Sequence, residues 1–235
     1  MLEADVIIPV WKLTTDRRNN LQNAYKFWDS QQCAKAHINV VNPDTKEFNK
    51  QWQCNLGVRQ SKTNKIIIAD ADIVYHSDSY LSEFMNWIEY HKLRWAFGWT
   101  RVLYQAKDGG RPVRDDWPEP GINEGCIVYF EKALWEEMGG ANEWVRELRG
   151  PDNEIALKAR FLTGTHIGFP VTLTHRWHPP SQMKHTQYRE NNKEILKYTR
   201  KRPREVIDIL KRQDWGSADG SYCTKKSFYE ARMGI

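Results

Sequence analysis

The feature that most constrains the fold is the eight-residue segment 65–72, Lys-Ile-Ile-Ile-Ala-Asp-Ala-Asp. Its three isoleucines are too few and too uniformly apolar for a surface helix, so they predict a strand buried on both faces within a parallel sheet. Open α/β sheets bind ligands at the carboxyl ends of their strands, and this end carries Asp70 and Asp72. Two carboxylates beside an apolar core repel each other and lose hydration, so a hard divalent cation between them is the simplest compensation. The alternative is a turn or a helix cap, because Asp is common after strands.

The other hydrophobic patterns predict an alternating α/β fold. Strands are predicted at 5–10, 37–41, 65–69, 95–104, 125–130 and 165–171. Helices are predicted at 16–28, 49–60, 79–91, 131–138, 152–162, 190–200 and 203–212, with Thr15 or Asp16 capping the first. The Gly- and Pro-rich residues 105–123 and the His- and Pro-rich residues 174–184 are expected to form loops. A loop as long as the first is usually functional.

Length and charge limit the domain organisation and the partners. With 235 residues the chain suits one domain, or one domain with an appendage. The net charge of +5 is concentrated in residues 184–212, which hold ten basic and four acidic residues. No apolar run is long enough to span a bilayer and the first residues are not a signal peptide, so a cytoplasmic location is expected. The cysteines are scattered without a CxxC pair, which predicts free thiols rather than a zinc site: Cys33, Cys54, Cys126 and Cys223.

Three segments carry a resemblance to a known family. The first strand is followed by Asp-Arg-Arg at 16–18, Asn-Leu-Gly-Val-Arg at 55–59 precedes the strand ending in Asp-Ala-Asp, and residues 125–155 hold a glycine-led strand, Gly-Gly and Arg-Gly-Pro-Asp-Asn-Glu-Ile. Over residues 5–180 this combination resembles the GT-A fold glycosyltransferases, especially the β-galactosyltransferase-like and polypeptide-GalNAc-transferase-like group. The resemblance implies a Rossmann-like α/β nucleotide-sugar transferase fold with a mostly parallel central sheet. It places a catalytic domain at 1–183 and a basic helical extension at 184–235.

The chain departs from this group at a few positions. Pro151 stands where the group usually has an acid, and Asn153 replaces another acid. The first metal motif is Asp-Ala-Asp rather than the Asp-X-His variant. These differences leave the transferred sugar and the acceptor open and affect the fold little.

The resemblance implies a divalent cation that neutralises the leaving diphosphate. Mn²⁺ and Mg²⁺ both suit carboxylate ligands, and Mn²⁺ also accepts imidazole. Asp72 is expected to be the primary ligand, while Asp70 orders the ribose or completes the coordination shell. A histidine from a later loop completes the site, and the segment Thr-His-Arg-Trp-His-Pro at 174–179 offers His178 as the better candidate by position and His175 as the second. The alternative for either imidazole is an ordinary surface or core histidine.

The resemblance also implies a general base. Asp152 follows Gly150 at the opening of a predicted helix, where the family places the carboxylate that deprotonates the acceptor hydroxyl. Direct displacement by a deprotonated acceptor inverts the anomeric centre. The alternative interpretation is that Asp152 only caps its helix.

The donor, expected to be a UDP-sugar, should lie over the first strand and helix. The residues predicted to bind it are Pro9, Arg17, Arg18, Asp44, Asn55, Arg59, Asp70, Trp117 and Gly125. Among them Trp117 belongs to the long loop, where a mobile lid would exclude water and limit donor hydrolysis. An arginine at a helix start, such as Arg17 or Arg18, is more often simply solvated.

The acceptor has one clue, the basic C-terminal region, in which cations alternate with Tyr198 and Trp215. Such a surface could follow the phosphates of DNA carrying hydroxymethylated bases, flipped out for glycosylation as in certain phage enzymes. It could instead dock on anionic lipid for transfer to a polysaccharide, a lipid-linked glycan or a protein, or be two solvated helices. The location would then be a bacterial or phage-infected cytosol. Two rival functions are a nucleic-acid-binding α/β module and a phosphatase-like metal hydrolase, although the latter needs acids on the first strand, which offers only Asp5.

Overall fold

The structure, a computed structural model, describes residues 2–10, 13–42, 49–107, 114–116, 125–145, 151–179 and 186–217, with the backbone alone at 114–116, 151 and 186–189. Within these ranges the strands are β1 (Leu2–Pro9), β2 (Ala34–Val41), β3 (Lys65–Ala69), β4 (Ile73–Val74), β5 (Trp95–Phe97), β6 (Arg101–Tyr104), β7 (Arg114–Asp116), β8 (Ile127–Glu131) and β9 (Thr172–His175). The helices are α1 (Thr15–Asp29), α2 (Lys50–Gln60), α3 (Tyr80–His91), α4 (Lys132–Glu137), α5 (Pro151–Thr163), α6 (Thr186–Lys201) and α7 (Pro203–Leu210).

The central sheet has the strand order β2-β1-β3-β8-β5. Strand β1 is parallel to both β2 and β3, whereas β8 is antiparallel to both β3 and β5, so four of the five strands share one direction. The isoleucines of β3 are buried, as predicted for a strand covered on both faces. The predicted mostly parallel α/β sheet is therefore confirmed.

A second sheet has the order β4-β9-β6-β7. It begins directly after the aspartate motif, because β4 follows Asp72 and pairs antiparallel with β9, placing Ile73 opposite His175. Strand β9 is in turn parallel to β6. This pairing brings the His-rich segment of the sequence to the carboxyl end of β3.

Three predicted elements and one predicted helix cap differ from the structure. The strand predicted at 95–104 is split between the two sheets, because the chain turns at Gly98, where an added Cβ would lie 2.2 Å from the Tyr80 hydroxyl oxygen. The strand predicted at 165–171 is wrong, since only Gly168 makes a bridge there, to Phe97, and the real strand starts at residue 172. The loop predicted at 105–123 contains the short strand β7. The cap of α1 is Thr14, one residue earlier than predicted.

The two C-terminal helices pack on the rest of the protein. Helices α6 and α7 contact each other and α5, and their apolar side chains form a second core cluster with Trp144 and Val145: Ile195, Val206, Ile209 and Leu210. The opposite side of these helices is exposed and basic, with Lys193, Lys197, Arg200, Lys201, Arg202, Arg204, Lys211 and Arg212. The domain boundary at 183 stays a prediction.

Two compositional expectations can also be compared with the described residues. Cys33, Cys54 and Cys126 are free thiols, while Cys223 lies outside the description. Among the described helices, none combines the length and the apolar character needed to cross a bilayer.

Candidate functional site

The aspartate motif begins where β3 meets β8. The antiparallel register sets Ala69 opposite Ile127, so Asp70 lies beside Cys126. The Asp70 amide donates to the Cys126 carbonyl at 2.8 Å, and the Cys126 amide donates to Asp70 Oδ2 at 3.2 Å. Cys126 has a φ of 73°, which is uncommon for a residue with a side chain and costs roughly 1–3 kcal/mol. The end of β3 is thus fixed against Cys126 by one backbone hydrogen bond and by one hydrogen bond to the Asp70 side chain.

A group of potential metal ligands lies two residues further along. The Nε2 atom of His178 is 2.9 Å from Asp72 Oδ2, and the Nε2 atom of His175 is 3.7 Å from it. One ligand atom from each of these three residues lies within 4.8 Å of the other two. The Arg176 amide donates to the Asp72 carbonyl at 2.7 Å, which ties the histidine segment to the aspartate motif. The sequence placed both histidines near Asp72, and the structure brings all three together.

The chemistry of this group fits a divalent cation. Asp72 Oδ1 is buried and has no hydrogen-bond partner among the described residues, and such an orphaned oxygen is rare in folded proteins. Burial opposes ionisation of Asp72, but His175 and the hydrogen bond from His178 lower its pKa below the ordinary value. The hydrogen bond to Asp72 raises the pKa of His178 against the effect of burial. One carboxylate and two imidazoles suit Mn²⁺ better than Mg²⁺, because Mg²⁺ prefers oxygen ligands.

A second cluster, formed by Lys50, Asp70 and Asp152, lies beside the first. The Lys50 ammonium is 2.7 Å from Asp70 Oδ1 and 2.9 Å from Asp152 Oδ1. Burial opposes the charge on Lys50, but Asp152 and Asp70 raise its pKa well above the ordinary value. Burial raises the pKa of Asp70, and Lys50 opposes that rise. Since Lys50 and the Cys126 amide hold both oxygens of Asp70, the structure places Asp70 in this cluster and not with the histidines.

Gly125 separates Asp152 from the strand end. Asp152 is the second residue of α5, and its side chain is 29% exposed. A Cβ added at Gly125 would lie 2.9 Å from Asp152 Oδ2 and 3.6 Å from Asp70 Oδ2. The Gly125 carbonyl accepts from the indole of Trp99 at 3.0 Å. A side chain at this position would have to displace the Asp152 carboxylate, so the glycine allows Asp152 to approach this backbone closely.

Five further residues predicted to bind the donor lie at the end of β1, in the first turn of α1 or outside the description. Pro9 ends β1 and is buried. Arg17 is close enough to His178 that its charge opposes the rise in the pKa of that imidazole. Arg18 donates through Nε to the carbonyl of Leu13 at 3.2 Å. Asp44 and Trp117 lie outside the described residues.

Asn55, which the sequence predicts to contact the nucleotide, is hydrogen-bonded within the protein. Its Oδ1 accepts from the Trp135 indole at 3.0 Å and from the Ala141 amide at 2.8 Å. Its Nδ2 donates to the Ala141 carbonyl at 2.9 Å and to Glu143 Oε1 at 2.7 Å. These four bonds use the whole capacity of a fully buried carboxamide. Asn55 fixes α2 to the segment around residues 141–143.

Arg59 also faces away from the aspartate motif. It follows Lys50 by nine residues along α2, which corresponds to about 13 Å of helix. Its guanidinium pairs with Asp214 and lies 5.1 Å from the ring centroid of Trp215. This end of α2 contacts the C-terminal segment, and the contact between Arg59 and the nucleotide stays a prediction.

Sequence reasoning missed Lys50, although one feature could have revealed it. Lys50 is the first residue of α2, whose first turn contains no acid. A cation at a helix N-terminus is opposed by the helix dipole. A lysine in that place therefore indicates acids from other elements nearby.

Comparisons with known proteins bear on the fold. Neither a protein-family model nor a curated protein matches the sequence. The catalytic domain of Drosophila β1,4-galactosyltransferase 7 in complex with xylobiose matches 84% of this chain and 80% of its own, with a TM-score of 0.55 and 17% identity. S. aureus TarS 1–349 in complex with UDP-GlcNAc matches 89% of this chain and 66% of its own, with a TM-score of 0.59 and 12% identity.

A third solved structure is also similar to this chain. It is the mannosyltransferase PcManGT from Pyrobaculum calidifontis in complex with GDP-Man and Mn²⁺, which matches 77% of this chain and 58% of its own, with a TM-score of 0.50 and 15% identity. These similarities show that the chain has the fold of GT-A glycosyltransferases. The fold expected from the three sequence segments is confirmed.

Proposed function

We propose that the protein is a metal-dependent glycosyltransferase that moves a sugar from a nucleotide-sugar donor, a UDP-sugar, to an acceptor hydroxyl. The observation that carries this proposal is the convergence of Asp72, His175 and His178 at the carboxyl end of a central strand. The GT-A fold supports it, because the similar TarS structure holds UDP-GlcNAc and the similar mannosyltransferase holds GDP-Man and Mn²⁺.

The first requirement of the reaction is neutralisation of the departing diphosphate. Asp72, His175 and His178 would hold the divalent ion, which when bound supplies positive charge to the two phosphate groups. Arg17, whose charge already reaches His178, adds a second cation on the side of α1. The carboxylate of Asp72 is ionised in the protein, because its pKa is lowered, and is therefore in the form that binds a metal.

The second requirement is removal of the acceptor proton. Asp152 Oδ2 faces Gly125, while Oδ1 is bound by Lys50. An acceptor hydroxyl above Gly125 would give its proton to Oδ2, and its oxygen would bond to the anomeric carbon as the bond from that carbon to the diphosphate oxygen breaks. This single displacement inverts the anomeric configuration.

The acceptor is proposed to be a glycan hydroxyl. The similar Drosophila structure holds xylobiose, a disaccharide. The exposed basic side of α6 and α7 is the observation in favour of the alternative acceptor, a hydroxymethylated base in DNA, because phosphate contacts need such cations. Glu194 and Asp208 are also exposed on these helices and reduce that charge.

One experiment tests the function and separates the acceptors. The purified protein is incubated with UDP- and GDP-sugars and Mn²⁺, with Mg²⁺ or a chelator in parallel, and release of nucleoside diphosphate is measured. Short xylose-containing glycans and hydroxymethyl-base DNA are then added separately, and mass spectrometry detects a sugar adduct on either. We expect Mn²⁺-dependent release that rises with the glycan. Adduct on DNA alone would assign the other acceptor, and no release with any donor would favour a nucleic-acid-binding module.

A further inference from the structure

Lys50 occupies a place that is unfavourable for a cation. It is the first residue of α2, where the helix dipole opposes positive charge, and its side chain is only 11% exposed. The compensation comes from outside the helix, since both of its acidic partners belong to other elements. A lysine in this position is tolerated only if the folded protein keeps its ammonium paired with these carboxylates.

The ammonium of Lys50 joins three elements at one point. Asp70 follows β3, Asp152 belongs to the first turn of α5, and Lys50 starts α2. Each acid gives Lys50 its Oδ1 atom, at 2.7 Å and 2.9 Å. The remaining oxygen of Asp70 accepts from the Cys126 amide, whereas the remaining oxygen of Asp152 lies on the side of Gly125.

The start of α2 is firmly held. Asn49 caps the helix by accepting from the Trp52 amide at 3.1 Å, and its own Nδ2 donates to the Glu143 carbonyl at 2.9 Å. Gln53 donates to the Val10 carbonyl at 2.8 Å. Gly57 lies so close to β1 that an added Cβ would be 2.5 Å from an Ile7 methyl carbon. The backbone of Lys50 is therefore held in a fixed position from which its side chain reaches Asp152.

We propose that Lys50 is a positioning residue for sugar transfer, which holds Asp152 Oδ1 so that only Oδ2 faces the acceptor hydroxyl. This inference rests on the proposed function, because it needs Asp152 to accept the proton. Lys50 acts through Asp152 and not on the reacting atoms. Since a misplacement of about 1 Å can cost about 100-fold in rate, the orientation of one carboxylate is a large effect.

Two substitutions separate positioning from donor binding. Lys50→Met keeps the length of the side chain and removes its charge, and Lys50→Arg keeps the charge. We expect Lys50→Met to lower kcat for transfer by about 100-fold, with KM for the donor and the Kd for UDP with Mn²⁺ nearly unchanged. Lys50→Arg should recover most of the lost rate. Lys62→Met, at an exposed lysine of the following loop, is the matched control and should transfer at the wild-type rate.

A double variant keeps the test valid even if Lys50→Met is poorly folded. Lys50→Met combined with Asp152→Asn removes a cation and one of its acids together, and folding is checked by circular dichroism. If Lys50 acts through Asp152, this double variant transfers at the rate of Asp152→Asn alone, because coupled residues are not additive. A further loss in the double variant would overturn the inference.

Other results would also overturn it, and each is distinguishable. A Lys50→Met protein that has lost donor affinity, with hydrolysis and transfer reduced equally, would make Lys50 a donor contact. Wild-type transfer by Lys50→Met would show that Asp152 does not need it. A wild-type protein without transferase activity would overturn the proposed function and this inference together.

Discussion

Two of the lysines that the structure describes, Lys50 and Lys158, are buried beside acids, and the pKa values of their ammonium groups move in opposite directions. Burial opposes the charge on Lys50, yet Asp152 and Asp70 raise its pKa well above the ordinary value. Burial lowers the pKa of Lys158, and its single acid, Glu154, does not reverse the effect. The difference lies in the number of carboxylates, two against one, since both lysines have lost most of their hydration.

The surroundings of the two lysines differ in a second way. Lys158 and Glu154 are 2.9 Å apart with both side chains 0% exposed, and Lys158 also donates to the Gly140 carbonyl at 2.5 Å. The acids of Lys50 are 30% and 29% exposed. A ligand can therefore reach the Lys50 cluster and cannot reach the Lys158 pair. The first arrangement suits chemistry and the second suits packing, although Asp152 and Glu154 are only two residues apart on α5.

The largest expected effect comes from the metal-ligand group, which lies beside the Lys50 cluster, when its carboxylate is removed. Asp72→Asn should lower metal-dependent turnover by more than about 1000-fold, because a bound ion contributes several kcal/mol to the stabilisation of the leaving group. Binding of UDP should lose its dependence on Mn²⁺, as measured by titration calorimetry. The free energy of unfolding should fall only modestly, since Asp72 loses its bond with His178 but is partly exposed, and urea unfolding measures the change.

The matched control for that variant is Asp208→Asn on α7, where the acid is exposed and distant in sequence from the aspartate motif. It should retain turnover and Mn²⁺-dependent binding. Full activity of Asp72→Asn would show that the cation, if one is needed, binds elsewhere.

Removing the proposed base should have the next largest effect. Asp152→Asn should leave the Kd for the donor intact and reduce transfer by about 1000-fold, in the range of general base catalysis. Single-turnover transfer and donor binding are measured on the same preparation. Glu136→Gln, at a helical acid on α4, serves as the control. Unchanged transfer by Asp152→Asn would leave that carboxylate with a capping role only.

The fold was largely predictable from the sequence, and the reason is local. The run of isoleucines in β3 and the amphipathic pattern of α3 each span only a few neighbouring residues, and each predicts which side chains are buried. The predicted bounds of both elements are therefore within one residue of the observed bounds. The strand predicted at 165–171 failed because β-branched and aromatic residues there pack without forming a ladder. The apolar pattern does not say which segments are paired.

The site was predictable only in part, because its contacts are long-range. Asp72 was placed by the strand before it, and His175 and His178 by the family resemblance. Lys50 meets Asp152 across about a hundred residues of sequence. The place of Lys50 at the start of α2 indicates that acids lie nearby, but no local pattern identifies them as Asp70 and Asp152. Asn55 belongs to a recognisable motif, but the motif does not reveal the four hydrogen bonds that it makes within the protein.

For the buried pair of Lys158 and Glu154, the substitution Lys158→Met should lower the free energy of unfolding and leave the rate of sugar transfer unchanged. It leaves Glu154 buried without its cation, which typically costs about 3–5 kcal/mol. Urea unfolding measures the loss, and kcat per folded molecule should stay at the wild-type value. Adding Glu154→Gln should restore part of the stability. A loss of kcat without a loss of stability would place Lys158 with Lys50 as a residue of the site.

The smallest expected effect concerns Glu143, which, like Lys158 and Glu154, is buried in the packed interior. Burial raises its pKa to about 7 from the ordinary 4.5, although hydrogen bonds from Asn55 and the Gly216 amide oppose the rise. Between these two values the folded protein holds a proton that the unfolded chain has released. Stability therefore falls as the pH rises through this window, by about 3 kcal/mol in total, and none of this contribution remains above the folded pKa.

Glu143→Gln isolates this slope, because the carboxamide can still accept from Asn55 and from Gly216 but does not titrate in this range. Urea unfolding at pH 5 and at pH 8 should show a smaller pH dependence in the variant than in the wild type, with Asp208→Asn retaining the wild-type slope. Donor binding should be the same in all three proteins at either pH, since Glu143 faces the C-terminal segment and not the aspartate motif. If stability depends on pH equally in Glu143→Gln and in the wild type, other groups cause that dependence and Glu143 does not contribute to it.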